Sequence, residues 1–422
     1  MPQNQPKLSS FFYTIFLWLF RIGVRLLSTW NPKAKLWLTG RKNFPVIDGK
    51  KSGAPVVWMH CASLGEFEQG RPVLESVKST YPNATIILTF FSPSGYEVQK
   101  NYKGADHVFY LPMDSAANAK KFIDTINPSL VLWVKYEYWF YYLNELKERK
   151  IPVLLISGIF RKQQPFFKWY GGIWKKALGA FTHFFVQNEA SVKLLASIGI
   201  TENVTISGDT RFDRVIAIAE KFEPVAGIEK FCGNSKVIVA GSTWEDDEAE
   251  LVHYVKANPQ IKFIIAPHEI GADNLKDIQK EFPNALFYSE LLQLQEKGIT
   301  SNCLIIDNIG MLSRLYHYAD ITYVGGAFGE GLHNILEAAV YGKPVIFGPD
   351  YEKFAEAVDL VERMAAIPIN NALELEEELT FLLTNADELT AASTEAKNYV
   401  YAKKGATEKI SEFIYAKRLL TT

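Results

Sequence analysis

From Gly53 onward, short apolar runs rich in β-branched residues alternate with longer stretches of helical periodicity. The runs at 55–60, 84–90, 107–111, 130–134, 153–157 and 184–187 predict strands. Between them, segments such as 66–80 and 116–126 repeat their apolar residues at helical spacing. A second series opens at Lys236, with strands predicted over 237–240, 263–266, 304–306, 321–324 and 344–347. Strand–helix alternation at this spacing predicts parallel sheets with helices on both faces. Residues 208–235 hold Gly208, Pro224, Gly227 and Gly233, which suits a junction. The chain therefore reads as α/β, with two doubly wound Rossmann-like domains, 53–210 and 236–422, facing a central cleft. A linker at 211–235 joins them, and helices over 375–419 end the chain. No repeat of 20–50 residues and no low-complexity tract interrupts this pattern.

Residues 1–52 break the alternation. Residues 11–20 (FFYTIFLWLF) carry no charge, and Ile22, Val24, Leu26 and Leu27 continue the apolar pattern past Arg21 and Arg25. Ten uncharged residues are half of the roughly 20 a spanning helix needs. Extension to Trp30 reaches that length only with two arginines included, which can snorkel to one interface. A signal peptide lacks its small-x-small cleavage pattern here, and a buried core helix is the plain alternative. The expected element is a helix lying in or dipping into the cytoplasmic leaflet. Its aromatics would sit at headgroup level and its flanking cations would meet anionic lipid.

Charge supports that division. Lys7, Arg21, Arg25, Lys33, Lys35, Arg41, Lys42, Lys50 and Lys51 face one acid, Asp48, so residues 1–51 carry +8 and the remainder −10. The total of −2 over 422 residues argues against a whole-surface nucleic-acid binder, so no nucleic acid is expected as a partner. With 22% charged and 48% hydrophobic residues the chain is globular, which excludes disordered, collagen-like and coiled-coil classes. Cys61, Cys232 and Cys303 stand far apart, so neither a disulfide framework nor a cysteine-rich zinc site is expected.

Ligands of doubly wound sheets bind beyond the carboxyl ends of the strands, and six polar stations follow predicted strands. His60-Cys61-Ala62-Ser63-Leu64-Gly65-Glu66 reads as a capping box through Ser63 and Glu66, or as a site with Glu66 as general base. A helix N-terminus favours the ionised carboxylate, whereas burial pushes the other way. Thr89–Gly95 offers Ser92, Ser94 and Gly95 to an anion, or forms an ordinary turn. Glu137 stands among Tyr136, Tyr138 and Trp139, a composition suited to stacking on sugar rings. Ala240-Gly241-Ser242-Thr243-Trp244, followed by Glu245, Asp246, Asp247 and Glu248, can offer N–H groups and hydroxyls to phosphate. Pro267-His268-Glu269 ends another strand. The sixth station, residues 325–349 (GGAFGEGLHNILEAAVYGKPVIFGP), predicts a helix opening near His333-Asn334 with an anion site at its tip. Glu337 lies one turn in. The glycines there match neither a P-loop nor a dinucleotide fingerprint.

At these stations, in order over about residues 10–415, the chain resembles the 3-deoxy-D-manno-octulosonate (Kdo) transferases of lipopolysaccharide synthesis. The family's H-x-x-S-x-G-E is His60, Ser63, Gly65 and Glu66. Its G-N-x-K-F-D appears as Gly208-Asp209-Thr210-Arg211-Phe212-Asp213, and its A-x-S-T-x-x-x-E-E as Ala240, Ser242, Thr243, Asp247 and Glu248. Its G-G-H-N-x-L-E is read in Gly331 to Glu337. The motif E-T-E-x-W-P is kept only at Glu137 and Trp139. The resemblance implies a GT-B glycosyltransferase that moves Kdo from CMP-Kdo to a lipid A precursor (lipid IVA) with inversion.

By the same resemblance Glu66 is the base. Pro267, His268, Ile309, Gly310, Met311, Asn334, Ile335, Leu336 and Glu337 hold the nucleotide. Ser63, Gly65, Ser92, Ser94, Gly95, Glu137, Ser242 and Thr243 line the substrate sites. CMP-Kdo is then a donor substrate, and neither cofactor nor metal is expected. The chain departs from the family at His268, where arginine is usual, and at Ser157–Arg161 (SGIFR). Two other readings stay open on the residues. One is a UDP-sugar enzyme of the same fold, such as a lipid-linked N-acetylglucosaminyltransferase or a nucleotide-sugar epimerase. The other is a non-enzymatic membrane-associated nucleotide-binding scaffold.

Overall fold

The computed structural model describes residues 5–47, 53–294 and 299–420; the side chains of Asp48, Lys50, Lys51 and Lys7 lie outside the described residues. The chain divides into two compact units, Met1–Arg214 with Gly405–Thr422, and Val215–Lys404.

The first unit holds a parallel sheet of β1 (Val56–Cys61), β2 (Thr85–Phe90), β3 (His107–Tyr110), β4 (Leu130–Val134), β5 (Val153–Gly158), β6 (His183–Val186) and β7 (Val204–Ile206). Their order is β3-β2-β1-β4-β5-β6-β7. The order reverses between β1 and β4, which is the switch point where such sheets open a crevice at the strands' carboxyl ends. Trp58 on β1 and Trp133 on β4 are fully buried in one apolar layer, while Met59, Leu132 and Val134 anchor the other. β7 escaped the sequence reading because it has three residues at the sheet edge, and Ile206 is exposed.

The second unit repeats the design with β8 (Val237–Thr243), β9 (Lys262–Pro267), β10 (Leu286–Phe287), β11 (Cys303–Ile305), β12 (Ile321–Val324), β13 (Val345–Phe347) and β14 (Ala366–Pro368). Their order is β10-β11-β9-β8-β12-β13-β14, with the switch point between β8 and β12. The two outermost strands, of two and three residues, are the ones the pattern of the sequence did not reveal.

One boundary differs from expectation, and one junction differs in form. The last helix, Ala406–Ala416, belongs to the first unit rather than to a domain running from 236 to the end. Asp213 is the reason: its carboxylate accepts the N–H groups of Gly405 and Thr407 at 2.6 Å each, at the start of that helix. This is N-terminal capping supplied by a remote residue. Ile410 and Ile414 then join the core layer of Met59 and Leu132. The division between the units, after Arg214, falls within the expected linker 211–235, but the chain there is the helix Thr210–Glu220 rather than a glycine-rich junction.

The N-terminal segment is also more integrated than a free-standing anchor. α1 (Gln5–Leu27) buries Tyr13 and Leu17 in the first unit's core. The Tyr13 hydroxyl donates to Asp114 at 2.7 Å. Asp114 also accepts the N–H groups of Tyr141 and Tyr142 at 3.1 Å. α2 (Pro32–Thr39) follows; Asn31 caps it by accepting the Ala34 N–H at 3.0 Å, and Pro32 fills the first position. The rest of α1 is open: Phe11, Phe12, Phe16, Trp18, Leu19 and Leu26 are all more than half exposed. The stretch Ser10–Leu27 is long and apolar enough to cross a membrane.

Candidate active site

The carboxyl ends of β1 and β4 place three polar side chains together. His60, fully buried, stands on β1 opposite Thr89 and Trp133. Thr89 Oγ1 accepts the Trp58 Nε1–H at 2.8 Å, and it lies 2.9 Å from His60 Nδ1 against 3.4 Å from the Met59 carbonyl. This network assigns the Thr89 proton to Nδ1 and leaves Nε2–H to donate to Glu137 Oε2 at 3.1 Å. Trp139 Nε1–H donates to the same oxygen at 3.0 Å. Glu137 is thus oriented by an imidazole and an indole, with a fifth of its side chain exposed.

Glu66 is held differently. It sits one turn into α3 (Leu64–Thr80), 7% exposed, and accepts the N–H group of Ala62 at 2.5 Å, in the loop after β1. The capping box does not form: Ser63 takes the extended N-cap conformation, but its side chain makes no cap bond. Burial raises the Glu66 carboxyl to about 7; the Ala62 N–H opposes that rise and the neighbouring Glu137 charge adds to it. A carboxylate poised there suits proton abstraction near neutral pH. A Cβ on Gly65 would meet nothing within 4 Å.

At the second station the two serines cap a helix and the glycine is required by packing. Ser92 caps α4 (Pro93–Gln99) by accepting the Ser94 N–H at 3.2 Å, and the two hydroxyls pair at 2.8 Å. A Cβ on Gly95 would lie 2.2 Å from the fully buried Phe90 ring. Gly95→Ala is therefore expected to destabilise the fold by about 1–3 kcal/mol, as overpacking does. Gly65→Ala should leave stability unchanged or slightly raised. Urea titration of both variants checks the contrast.

In the second unit the ends of β8 and β12 form the corresponding point. Asp247, 1% exposed, gathers it: Oδ2 accepts the N–H groups of Trp244 at 2.9 Å and Gly326 at 2.8 Å, and Oδ1 accepts the Tyr323 hydroxyl at 2.7 Å. A Cβ on Gly325 would lie 2.4 Å from the Ser242 carbonyl, so the loop passes too close for any side chain. Gly326 has φ +94 and Ser242 φ +54. Thr243 is buried and donates to Glu248 at 2.8 Å, so its hydroxyl is engaged inside the fold rather than offered to a ligand. Burial lifts the Glu248 carboxyl to about 7.

Above this loop Trp244, His268 and His333 stack: Trp244 to His268 at 4.6 Å and His268 to His333 at 4.5 Å between ring centroids. Trp244 Nε1–H donates to His333 Nε2 at 3.2 Å. Burial, with His268 beside it, lowers His333 to about 4, so it is neutral at physiological pH. His268 itself is exposed at the end of β9, next to the buried Pro267. The helix expected to open near His333-Asn334 opens later, spanning Leu336–Ala339, and before it the His333 and Gly331 N–H groups turn back to the carbonyls of Gly325 and Gly326. Asn334 Nδ2 donates to Glu337 at 3.0 Å, while its buried Oδ1 has no partner among the described residues. Ile335 and Leu336 are buried core residues. Ile309 is 85% exposed, Gly310 has φ +98, and Met311 is buried at the start of the turn Leu312–Leu315. Leu312 and Tyr316 pack over Gly241.

The structure therefore groups His60, Glu66 and Glu137 in one unit. In the other it groups Ser242, Trp244, His268, His333 and Asn334. Among the described residues no set of three or more His, Cys, Asp or Glu could hold a metal ion. Sequence reasoning missed Asp247 as an organiser, because four consecutive acids at a helix start read as macrodipole complements. It also missed the aromatic stack, whose members lie far apart in the chain.

Residues 36–214 match the family model described as 3-deoxy-D-manno-octulosonic-acid transferase (kdotransferase). The chain is 28% identical over 378 residues to a bifunctional glycosyltransferase/methyltransferase of Fusobacterium nucleatum, covering 86% of itself and 55% of that relative, so it spans little more than half that protein's length. It is 26% identical to a 3-deoxy-D-manno-octulosonic acid transferase of Rickettsia felis (82% of this chain, 75% of the relative). It is also 26% identical to one of Aquifex aeolicus (88% and 98%). Among solved structures it superposes on the UDP-GlcNAc 2-epimerase of Neisseria meningitidis with TM-score 0.61 at 17% identity, covering 86% of this chain and all of that one. It superposes on MurG of Acinetobacter baumannii with TM-score 0.53 at 12% identity (86% and 99%). These two likenesses show the fold: paired parallel-sheet Rossmann-like units of the GT-B class.

Proposed function

Because the chain belongs to the 3-deoxy-D-manno-octulosonic-acid (Kdo) transferase family, we propose that it is a glycosyltransferase that moves Kdo from CMP-Kdo to a hydroxyl of a lipid A precursor, with inversion. The observation that carries this reading is Glu66: a carboxylate at a switch point, fixed by the Ala62 N–H and raised to about 7 by burial. Glu66 takes the proton of the acceptor hydroxyl as that oxygen attacks the ketosidic carbon. The bond from that carbon to the CMP phosphate oxygen breaks, and CMP leaves as the anion. Glu137, steered by His60 and Trp139, orients the acceptor sugar. The second unit supplies the donor's contacts. N–H groups around Asn334 and the exposed His268 stabilise the leaving phosphate, and the unpartnered Asn334 Oδ1 awaits a donor from the nucleotide. Incubation with CMP-Kdo and a tetraacylated lipid A precursor, followed by mass spectrometry, tests the reading; CMP release without mass gain on the lipid would refute it.

The same reading places the enzyme on the cytoplasmic face of the inner membrane, with α1 as the contact. Replacing Trp18, Leu19 and Leu26 with serine removes apolar surface that is more than half exposed. Each such side chain is worth about 1.5–3 kcal/mol of transfer out of water. Binding to neutral liposomes is expected to fall at least about tenfold, while Tyr13 and Leu17 keep the helix docked. Sedimentation with liposomes measures it; unchanged binding would remove α1 from this role.

A further inference from the structure

A cavity of about 480 Å³ opens in the first unit beside the last turns of α1, and its charge is of one sign. Arg21 and Arg25, one turn apart, line it together with Arg41 and Lys42, and no lining residue is acidic. Arg21, Arg25 and Lys42 are exposed and make no ion pair among the described residues. Arg41 forms the floor. Its guanidinium donates to the carbonyls of Leu111 at 2.8 Å, Trp37 at 3.1 Å and Phe91 at 2.6 Å, and lies 4.0 Å from the Trp37 ring centroid. No carboxylate accepts from it among the described residues, so a mostly buried cation is held by carbonyls and ring faces alone. Burial lowers it to about 9, which leaves it charged at neutral pH. An acid in contact with the lining is Glu97, which accepts from the Tyr110 hydroxyl at 3.2 Å and is paired with Lys100 at 2.9 Å.

We propose that this cavity binds the phosphate of a membrane lipid's headgroup. Three guanidinium groups and an ammonium around one space match the planar, multidentate geometry that phosphate accepts. Two observations make the ligand lipid-borne. Arg21 and Arg25 stand on the helix whose outward face is the apolar, exposed one. Packed side chains also link the cavity's floor to Glu137, proposed above to orient the acceptor: Arg41 lies 4.8 Å from the Phe91 ring, Phe91 lies 4.7 Å from Trp139, and Trp139 donates to Glu137 at 3.0 Å. The inference rests on the reading of a lipid-linked acceptor given above, and identifies the anionic group by which that acceptor is held.

The test is binding of the full chain to phosphatidylcholine vesicles doped with phosphatidic acid. Arg21→Gln with Arg25→Gln is expected to weaken binding at least tenfold more than Lys33→Gln with Lys35→Gln, a pair on exposed α2 positions that removes the same charge. Arg21→Lys with Arg25→Lys should restore only part of the affinity, since charge returns without the bidentate fork. Vesicles doped to equal charge with oleate should bind the unaltered chain more weakly than phosphatidic acid does. Equal losses from the two glutamine pairs would overturn the proposal in favour of diffuse attraction. Thermal stabilisation by inorganic phosphate that matches the vesicle effect would overturn the lipid source. Because no transfer is measured, a chain inactive toward CMP-Kdo that still shows the tenfold contrast would refute the proposed reaction and leave the phosphate site standing.

Discussion

Glu66→Gln is expected to fold and to lose transfer by about 10²–10⁴-fold, the usual contribution of a positioned general base. The unaltered chain should lose activity about tenfold per pH unit below 7, because only the ionised carboxylate accepts the acceptor's proton and burial has raised that group to about 7. The glutamine variant's residual rate should lack this acid limb. Stability gives a second, opposite readout. A carboxyl raised from 4.5 to about 7 stabilises the fold fully below 4.5 and loses that contribution as pH climbs through 7. Each unit is about 1.4 kcal/mol, so the ionised form destabilises the fold by on the order of 3 kcal/mol at most. The Ala62 N–H then loses part of its acceptor in the variant, which offsets some of the gain. Its Tm at pH 8 should still be no lower than that of the unaltered chain. An inactive variant with a clearly lowered Tm would mean that Glu66 is a structural cap; near-normal turnover would remove it from catalysis.

Why this carboxylate was legible and its surroundings were not follows from range. His60, Ser63, Gly65 and Glu66 lie within one strand–helix turn, so their spacing alone places them at a strand's carboxyl end. The choice between cap and base was not decidable there, since Ser63 followed by Glu66 satisfies the capping pattern. The structure adds that Ser63 makes no side-chain cap bond and that Glu66 instead accepts the Ala62 N–H. The His60–Glu137 bond joins residues 77 apart, and the Trp244–His333 bond residues 89 apart. No local periodicity encodes either. The long central strands read correctly because both their faces are buried. β10 and β14 did not, because two- and three-residue edges carry too few apolar positions to stand out from loops. Asp213 is the reverse case: a residue inside a recognised motif whose work, holding the start of the final helix, lies 192 positions away.

Asp247→Ala should produce the largest loss of stability in the second unit. Three donors converge on that carboxylate, from Trp244, Gly326 and Tyr323. They do not outweigh its burial, which leaves the Asp247 carboxyl above the usual range. Its charge is therefore not what stabilises the unit; its oxygens are, because without them buried donors lose their acceptor at about 1–3 kcal/mol each. The expected cost is on the order of 3–5 kcal/mol, in the range found when one partner of a buried polar pair is removed. The consequence is local as well as global. Gly326 is tied to Asp247, and Gly331 and His333 are tied back to Gly326 and Gly325, so the loop that carries Asn334 loses its register. Tyr323→Phe deletes a single bond and should cost about 1 kcal/mol. In the Asp247→Ala background the same change should be neutral or stabilising, since the hydroxyl it removes is already orphaned. Denaturant titration of the two single variants and the double variant measures that coupling. Strictly additive losses would show that Tyr323 and Asp247 act independently and that the loop is organised by other contacts. A thermal-shift titration with CMP on the same variants then separates fold from function: Tyr323→Phe should retain the nucleotide response, and Asp247→Ala should lose it below its own melting transition.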